Sequence, residues 1–255
     1  MHSRSGGGSW MIGAMVLLGV MLAVLPLRAA ADVWRAPAVW PQEFGTRGLA
    51  YVAATGSGAA RAAANSFAVA TASTVLAALL AWPAARLIGR RTRIGRVLFV
   101  VLALPLVVPP LAVGTGLSTW FLRLGVADSL ATLAVSHLVY VIPYVCLTLA
   151  VGFSGDVEDL EDAACMLGAG PLTRLWRITA PAIAPALASA LLLGFVVSWT
   201  QYGTSLAIGG GIPMLPLLVV PFAHSDAQIA ATLSVVFLVP VLGLLGVAAA
   251  AGRHR

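Results

Sequence analysis

The chain contains no lysine, only two cysteines and only 9% charged residues. Each shortage excludes something. A phosphate-binding loop of the form GxxxxGK[ST] needs an ammonium group to reach nucleotide phosphates, so the chain carries no standard ATPase site. Cys146 falls inside an apolar run and Cys165 in a polar stretch. The two are neither spaced as a metal pair nor placed to meet as a disulfide, and no metal site is expected. An ordinary soluble domain carries roughly 25% charged residues. With 60% hydrophobic residues and a mean hydropathy of +0.97, this chain cannot bury its apolar surface from water as a soluble fold would. Acids are missing from the apolar runs altogether, which leaves no carboxylate at membrane depth to bind a cation or relay protons.

What remains is organised as repeated bilayer crossings. Apolar runs of spanning length lie at Trp10 to Leu27, Asn65 to Pro83, Val97 to Ser118, Leu130 to Phe153, Ile183 to Ser205 and Ile229 to Ala251. About 20 helical residues cross the hydrocarbon core, so the expected fold is all-α, a polytopic membrane bundle of about six transmembrane helices. The first run is read as an uncleaved anchor in preference to a signal peptide cleaved after Arg28-Ala29-Ala30-Ala31. Residues 1–61 are expected to form this anchor and an external segment carrying Trp34 and Trp40 at interfacial depth, and residues 62–255 the membrane domain proper.

The net charge of +6 comes from 15 arginines set against nine carboxylates. These arginines sit in the gaps between apolar runs and not on a basic face with interleaved aromatics, so nucleic acid is excluded as a partner. Cationic loops resist translocation. Arg4, the run Arg86, Arg90, Arg91, Arg93 and Arg96, then Arg174, Arg177, Arg253 and Arg255 all fall on one side, which makes both termini cytoplasmic. Prolines at Pro105, Pro109 and Pro110 in the third run, Pro143 in the fourth and Pro240 in the sixth predict kinked or locally unwound helices, as plain bends or as a flexible gate.

Five of the nine carboxylates, Asp156, Glu158, Asp159, Glu161 and Asp162, crowd into the loop between the fourth and fifth runs, at 154–181. A helix starting there with Asp156 as its cap places these acids where the dipole favours them. Val157, Leu160, Ala164 and Leu167 then form an apolar stripe. Gly168 supplies a residue tolerant of positive φ to end the helix, and Pro171 starts a second one that Pro181 and Pro185 punctuate. The expectation is a cytoplasmic helix, a tight turn and a helix.

Within it, Asp162-Ala163-Ala164 is followed after three residues by Gly168, and after nine more by Ile178-Thr179-Ala180-Pro181. This resembles the cytoplasmic signature of the transmembrane subunits of binding-protein-dependent ATP-binding-cassette importers, Glu-Ala-Ala, three residues, Gly, nine residues, Ile-x-Leu-Pro. Asp162 replaces the Glu, and Ala180 the usual Leu. Asn65-Ser66, Trp82-Pro83-Ala84 and Ser198-Trp199-Thr200-Gln201-Tyr202-Gly203 also look like the family, the last like its polyamine, thiamine or ferric-iron branch.

The resemblance implies a permease subunit with no catalytic residue and no cofactor of its own, ATP and Mg belonging to a separate cytoplasmic ATPase. Its partners would be that ATPase, a second transmembrane subunit, identical or related, and an extracytoplasmic solute-binding protein, all at the bacterial inner membrane. Glu161, Asp162, Ala163, Ala164, Leu167, Gly168, Ala169, Ile178 and Pro181 would form the ATPase-coupling loop.

For the translocation pathway, Ser198, Trp199, Gln201 and Tyr202 suit a pore mouth, with interfacial anchoring the alternative for the two aromatics. His137 and Tyr140 suit either solute contact or hydrogen bonding inside the bundle. The main alternative function is an ion-coupled secondary transporter, which calls for an ionisable or broken-helix ion site and internal duplication, neither of which the sequence displays. A membrane-embedded enzyme would need a converging His, Asp or Cys constellation, and His137 has no evident acidic partner.

Overall fold

The computed structural model describes residues 6–153 and 155–252, with side chains over 13–153, 155–248 and at 250. Arg4, Arg253 and Arg255 of the charge argument, and Ser154 at the start of the acidic loop, lie outside the described residues. Helices dominate, in the order α1 (Gly6–Ala30), a small hairpin of β1 (Ala31–Val33) and β2 (Glu43–Phe44), α2 (Arg47–Ala53), α3 (Ala59–Gly89), α4 (Arg93–Ala103), α5 (Pro110–Arg123) and α6 (Leu130–Gly152). Then follow α7 (Gly155–Met166), α8 (Pro171–Arg174), α9 (Ala180–Trp199), α10 (Gly203–Ile208), α11 (Leu215–Ser225) and α12 (Ala227–Gly252).

Five helices among the described residues are long and apolar enough to cross a membrane, and six if α4 and α5 count as one broken span. The prolines explain that break. The helical path stops at Val108, before Pro109 and Pro110, and the two halves meet at 97°. The carbonyl of Val108, freed by the break, accepts the Tyr140 hydroxyl at 2.8 Å, which is how irregular backbone is made tolerable at membrane depth. Pro143 and Pro240, by contrast, lie inside helices that continue through them.

The chain divides into two compact units, one joining residues up to Ala63 with Leu215–Leu242, the other joining Ala64–Met214 with the stretch from Gly243. In the first, Arg47 ties the elements together: it pairs with Asp32 in β1 and with Asp226 before α12, each at 3.3 Å, and donates to Gln228. Gln228 in turn donates to the carbonyls of Ala29 and Gly45. In the second, α3, α6 and α9 enclose an apolar core around Ala77, Ala81, Ala85, Val145, Cys146, Leu149, Ile183 and Ala190. Small residues on α3 let the backbones approach closely, and Ser73 on α3 donates across to the carbonyl of Ala134 on α6 at 3.0 Å.

Candidate functional site

The loop between α6 and α9 folds as a helix, a tight turn and a helix. Its first helix starts at Gly155, so Asp156 lies inside the first turn and not at the cap, still placed to meet the helix dipole. The turn is a Schellman motif. The amide of Ala169 donates to the carbonyl of Ala164 at 3.0 Å and that of Gly168 to Cys165 at 2.9 Å, with Gly168 at φ +81°. A side chain there would meet no atom within 4 Å, so the glycine answers to backbone conformation and not to space.

After Pro171 the chain does not stop again at Pro181. The path runs from α8 through a π turn, Leu175–Thr179, directly into α9. The prolines at 181 and 185 thus do not break the helix as expected from sequence. One lies in the first turn of α9 and the other is absorbed within it, and the wider turn just upstream accommodates the missing donor.

The two faces of α7 differ from the expected stripe. Val157, Glu161 and Ala164 are buried, whereas Leu160 and Leu167 point outward. The reason is electrostatic. Arg86 and Arg90, at the end of α3 and just beyond it, both reach the Glu161 carboxylate, which also accepts the Thr179 hydroxyl at 2.5 Å. Arg90 further pairs with Glu158 at 3.3 Å. A carboxylate with two guanidinium partners and a hydroxyl is stable in a buried position, and Glu161 takes the inward place that the apolar pattern gave to Leu160. Asp162, Ala163, Gly168 and Pro181 are exposed, Ala169 and Ile178 half-buried. The outward face carries Leu160, Met166, Leu167, Leu172 and Trp176, with Leu167 as much as 89% exposed.

A second polar cluster lies where α6, α9 and α10 meet. His137 Nδ1 is 2.8 Å from the Ser198 hydroxyl and its Nε2 3.1 Å from that of Ser205. Ser205 donates to the carbonyl of Gln201 at 2.6 Å, and Thr204 to its side chain at 3.2 Å. Trp199 stacks on Phe195 with ring centroids 5.6 Å apart. His137, Tyr140, Ser198, Trp199 and Gln201 are all buried, and Tyr202 alone of the six pathway candidates is exposed. Sequence reasoning did not find Arg86, Arg90 and Thr179 as partners of Glu161; the signal was an arginine-rich loop facing an acid-rich one on the same side. Replacing His137 by Leu is expected to lower stability by about 1 kcal/mol, the scale of a hydrogen bond inside a membrane bundle. Thermal unfolding of the detergent-purified chain would read this.

A family model described as binding-protein-dependent transport system inner membrane component matches residues 59–251. The molybdenum transport system permease protein ModB of Mycobacterium tuberculosis is 34% identical over 198 residues, covering 71% of this chain and 75% of its own length. ModB of Azotobacter vinelandii is 32% identical over 159 residues, 57% of this chain and 70% of its own. A probable sulfate transport system permease protein cysT of Anthoceros angustus is 36% identical over 110 residues, 43% of this chain and 36% of its own. The crystal structure of a bacterial ABC transporter involved in the import of the acidic polysaccharide alginate shares the fold, with a TM-score of 0.68, 18% identity and 97% coverage of both chains. These relatives are named for molybdenum and sulfate, and not for the polyamine, thiamine or ferric iron expected from the ending of the fifth span.

Proposed function

The chain belongs to the family of binding-protein-dependent transport system inner membrane components and is a multi-pass permease subunit of an ABC importer; on that premise we propose that it passes a tetrahedral dianionic oxyanion of the molybdate or sulfate type. The family is one of permease components and not of enzymes. Residues 62–255 act as the transport domain, following an anchor and external segment at 1–61. A separate ATPase, holding ATP and Mg, docks on the loop at 154–181, with both termini on the same, cytoplasmic side. A second membrane subunit completes the pathway, and an extracytoplasmic binding protein delivers the solute.

The observation that carries the docking is the outward face of the loop. Leu160, Met166, Leu167, Leu172 and Trp176 stand exposed beside Asp162, Ala163 and Gly168, at the spacing the importer signature prescribes. An apolar knob ringed by acids suits a protein partner with a basic rim. For the solute, the names of the relatives point to oxyanions. The absence of carboxylates from the apolar runs fits an anion better than a polyamine or ferric ion, either of which calls for acidic partners.

The test is uptake by proteoliposomes holding this chain with its ATPase and binding protein. Molybdate or sulfate should accumulate only with internal ATP. Accumulation of thiamine, a polyamine or ferric iron in their place would overturn the oxyanion reading. Uptake driven by an ion gradient without ATP would return the chain to the secondary carriers.

A further inference from the structure

Glu161 sits where a residue that touches a docking partner would not. It is 5% exposed, on the inward face of α7 with Val157 and Ala164, while the surface offered outward is apolar. Its two oxygens are divided between two different parts of the chain. One meets Arg86 in the last turn of α3, along with Arg90 at 3.4 Å. The other accepts from Thr179, the last residue of the π turn that leads into α9, at 2.5 Å.

We propose that the Glu161 carboxylate, held between Arg86 and Thr179, is the linkage that carries movement of α7 into α3 and α9. This rests on the reading that the loop docks on an ATPase subunit, and it assigns Glu161 a positioning role distinct from docking. By the backbone, α7 leads on to α9 through the turn at Gly168, φ +81°, and Gly170 before Pro171. Force entering at Leu167 by that route would reach α9 and not α3.

The ion pair offers a direct route to both spans. Val157 and Ala164 hold α7 inward by apolar contact, and the ion pair adds a charge penalty to any separation. Moving α7 away from Arg86 would leave a carboxylate buried without its partner, so the two segments shift together. Thr179 extends the same constraint to α9. A π turn is a wide piece of helix, frequent at functional sites, and its last residue is the one fixed to Glu161. One carboxylate thereby constrains a docking helix and two spans that enclose the same apolar core.

Hydrogen exchange of the full complex, with and without ATP and vanadate, tests this without knowledge of the solute. In the natural chain, trapping the closed ATPase should change exchange over residues 82–90 and 179–185. In Glu161→Gln, which keeps the shape and removes the charge, the ATPase should still co-purify while that change shrinks at least fivefold. Thr179→Val, which leaves the arginine pairing in place, should shrink the change over 179–185 alone, and Thr179→Ser should restore it. Full exchange changes in both Glu161→Gln and Thr179→Val would overturn the linkage. So would loss of the ATPase from Glu161→Gln, because the residue would then belong to the docking surface, and so would absence of any change in the natural complex. Failure of the natural chain to retain an ATPase at all would overturn the docking reading itself, and the linkage with it.

Discussion

Leu167→Asp is expected to strip the ATPase from the purified complex and abolish transport, while the chain accumulates in the membrane at its normal level. Leu167 is 89% exposed and follows the last turn of α7, so its side chain contributes little to the fold of this chain. Held out by the Schellman turn at Gly168, it is the most prominent apolar group of the loop. Burying a leucine against a partner is worth about 2 kcal/mol, and a carboxylate in the same pocket adds a desolvation cost of similar size. A loss of about 3 to 4 kcal/mol corresponds to roughly 100-fold or more in affinity. Co-purification on an affinity-tagged chain reads the result directly. An unchanged yield of ATPase would remove the knob from the interface, and a collapse in membrane level would show that Leu167 serves the fold.

The same loop illustrates how far sequence carries. Its helix, its turn and its second helix were legible because Gly168 and Pro171 are local signals whose meaning does not depend on neighbours. The inward face of α7 was not legible, since an apolar stripe is decided by periodicity alone, whereas Glu161 is drawn inward by Arg86, 75 residues away in sequence. Spans were legible from length and hydropathy in five cases of clean helix. For the third, the prolines made a kink or local unwinding legible. That its halves would meet at 97°, and that Tyr140 would satisfy the carbonyl left over, required the fold.

For the polar cluster, composition located His137, Ser198 and Gln201 but could not distinguish a pore wall from a buried junction. What the fold adds is the second hydroxyl, Ser205, which α10 brings back to the ring. The short apolar helix α11 escaped notice because at Leu215–Ser225 it is too short to register as a span.

Gly194→Leu is expected to cost most of the folded chain, for a reason that lies in the contact between α6 and α9. A Cβ at this position would stand 2.6 Å from Val145 Cγ2, 3.1 Å from Thr74 Cγ2 and 3.4 Å from Val141 Cγ1, so α3 and α6 both press on it. Inside a bilayer, helices gain nothing from leaving water and hold together through close packing, which small residues permit. A leucine has three further heavy atoms to place beyond the one that already collides. Overpacking by a few methylenes costs about 1–3 kcal/mol in a close-packed core, and the backbones of α6 and α9 can part only by opening the apolar layer around Val145 and Ile183. Against a total stability on the order of 5–15 kcal/mol, this is enough to lower accumulation several-fold. Gly19→Leu in α1 is the matched control, because no atom lies within 4 Å of the new Cβ. Gel filtration of fluorescently tagged chains should show a monodisperse peak for the control and a diminished or aggregated one for Gly194→Leu. Equal peaks would mean that α6 and α9 separate more easily than their packing implies.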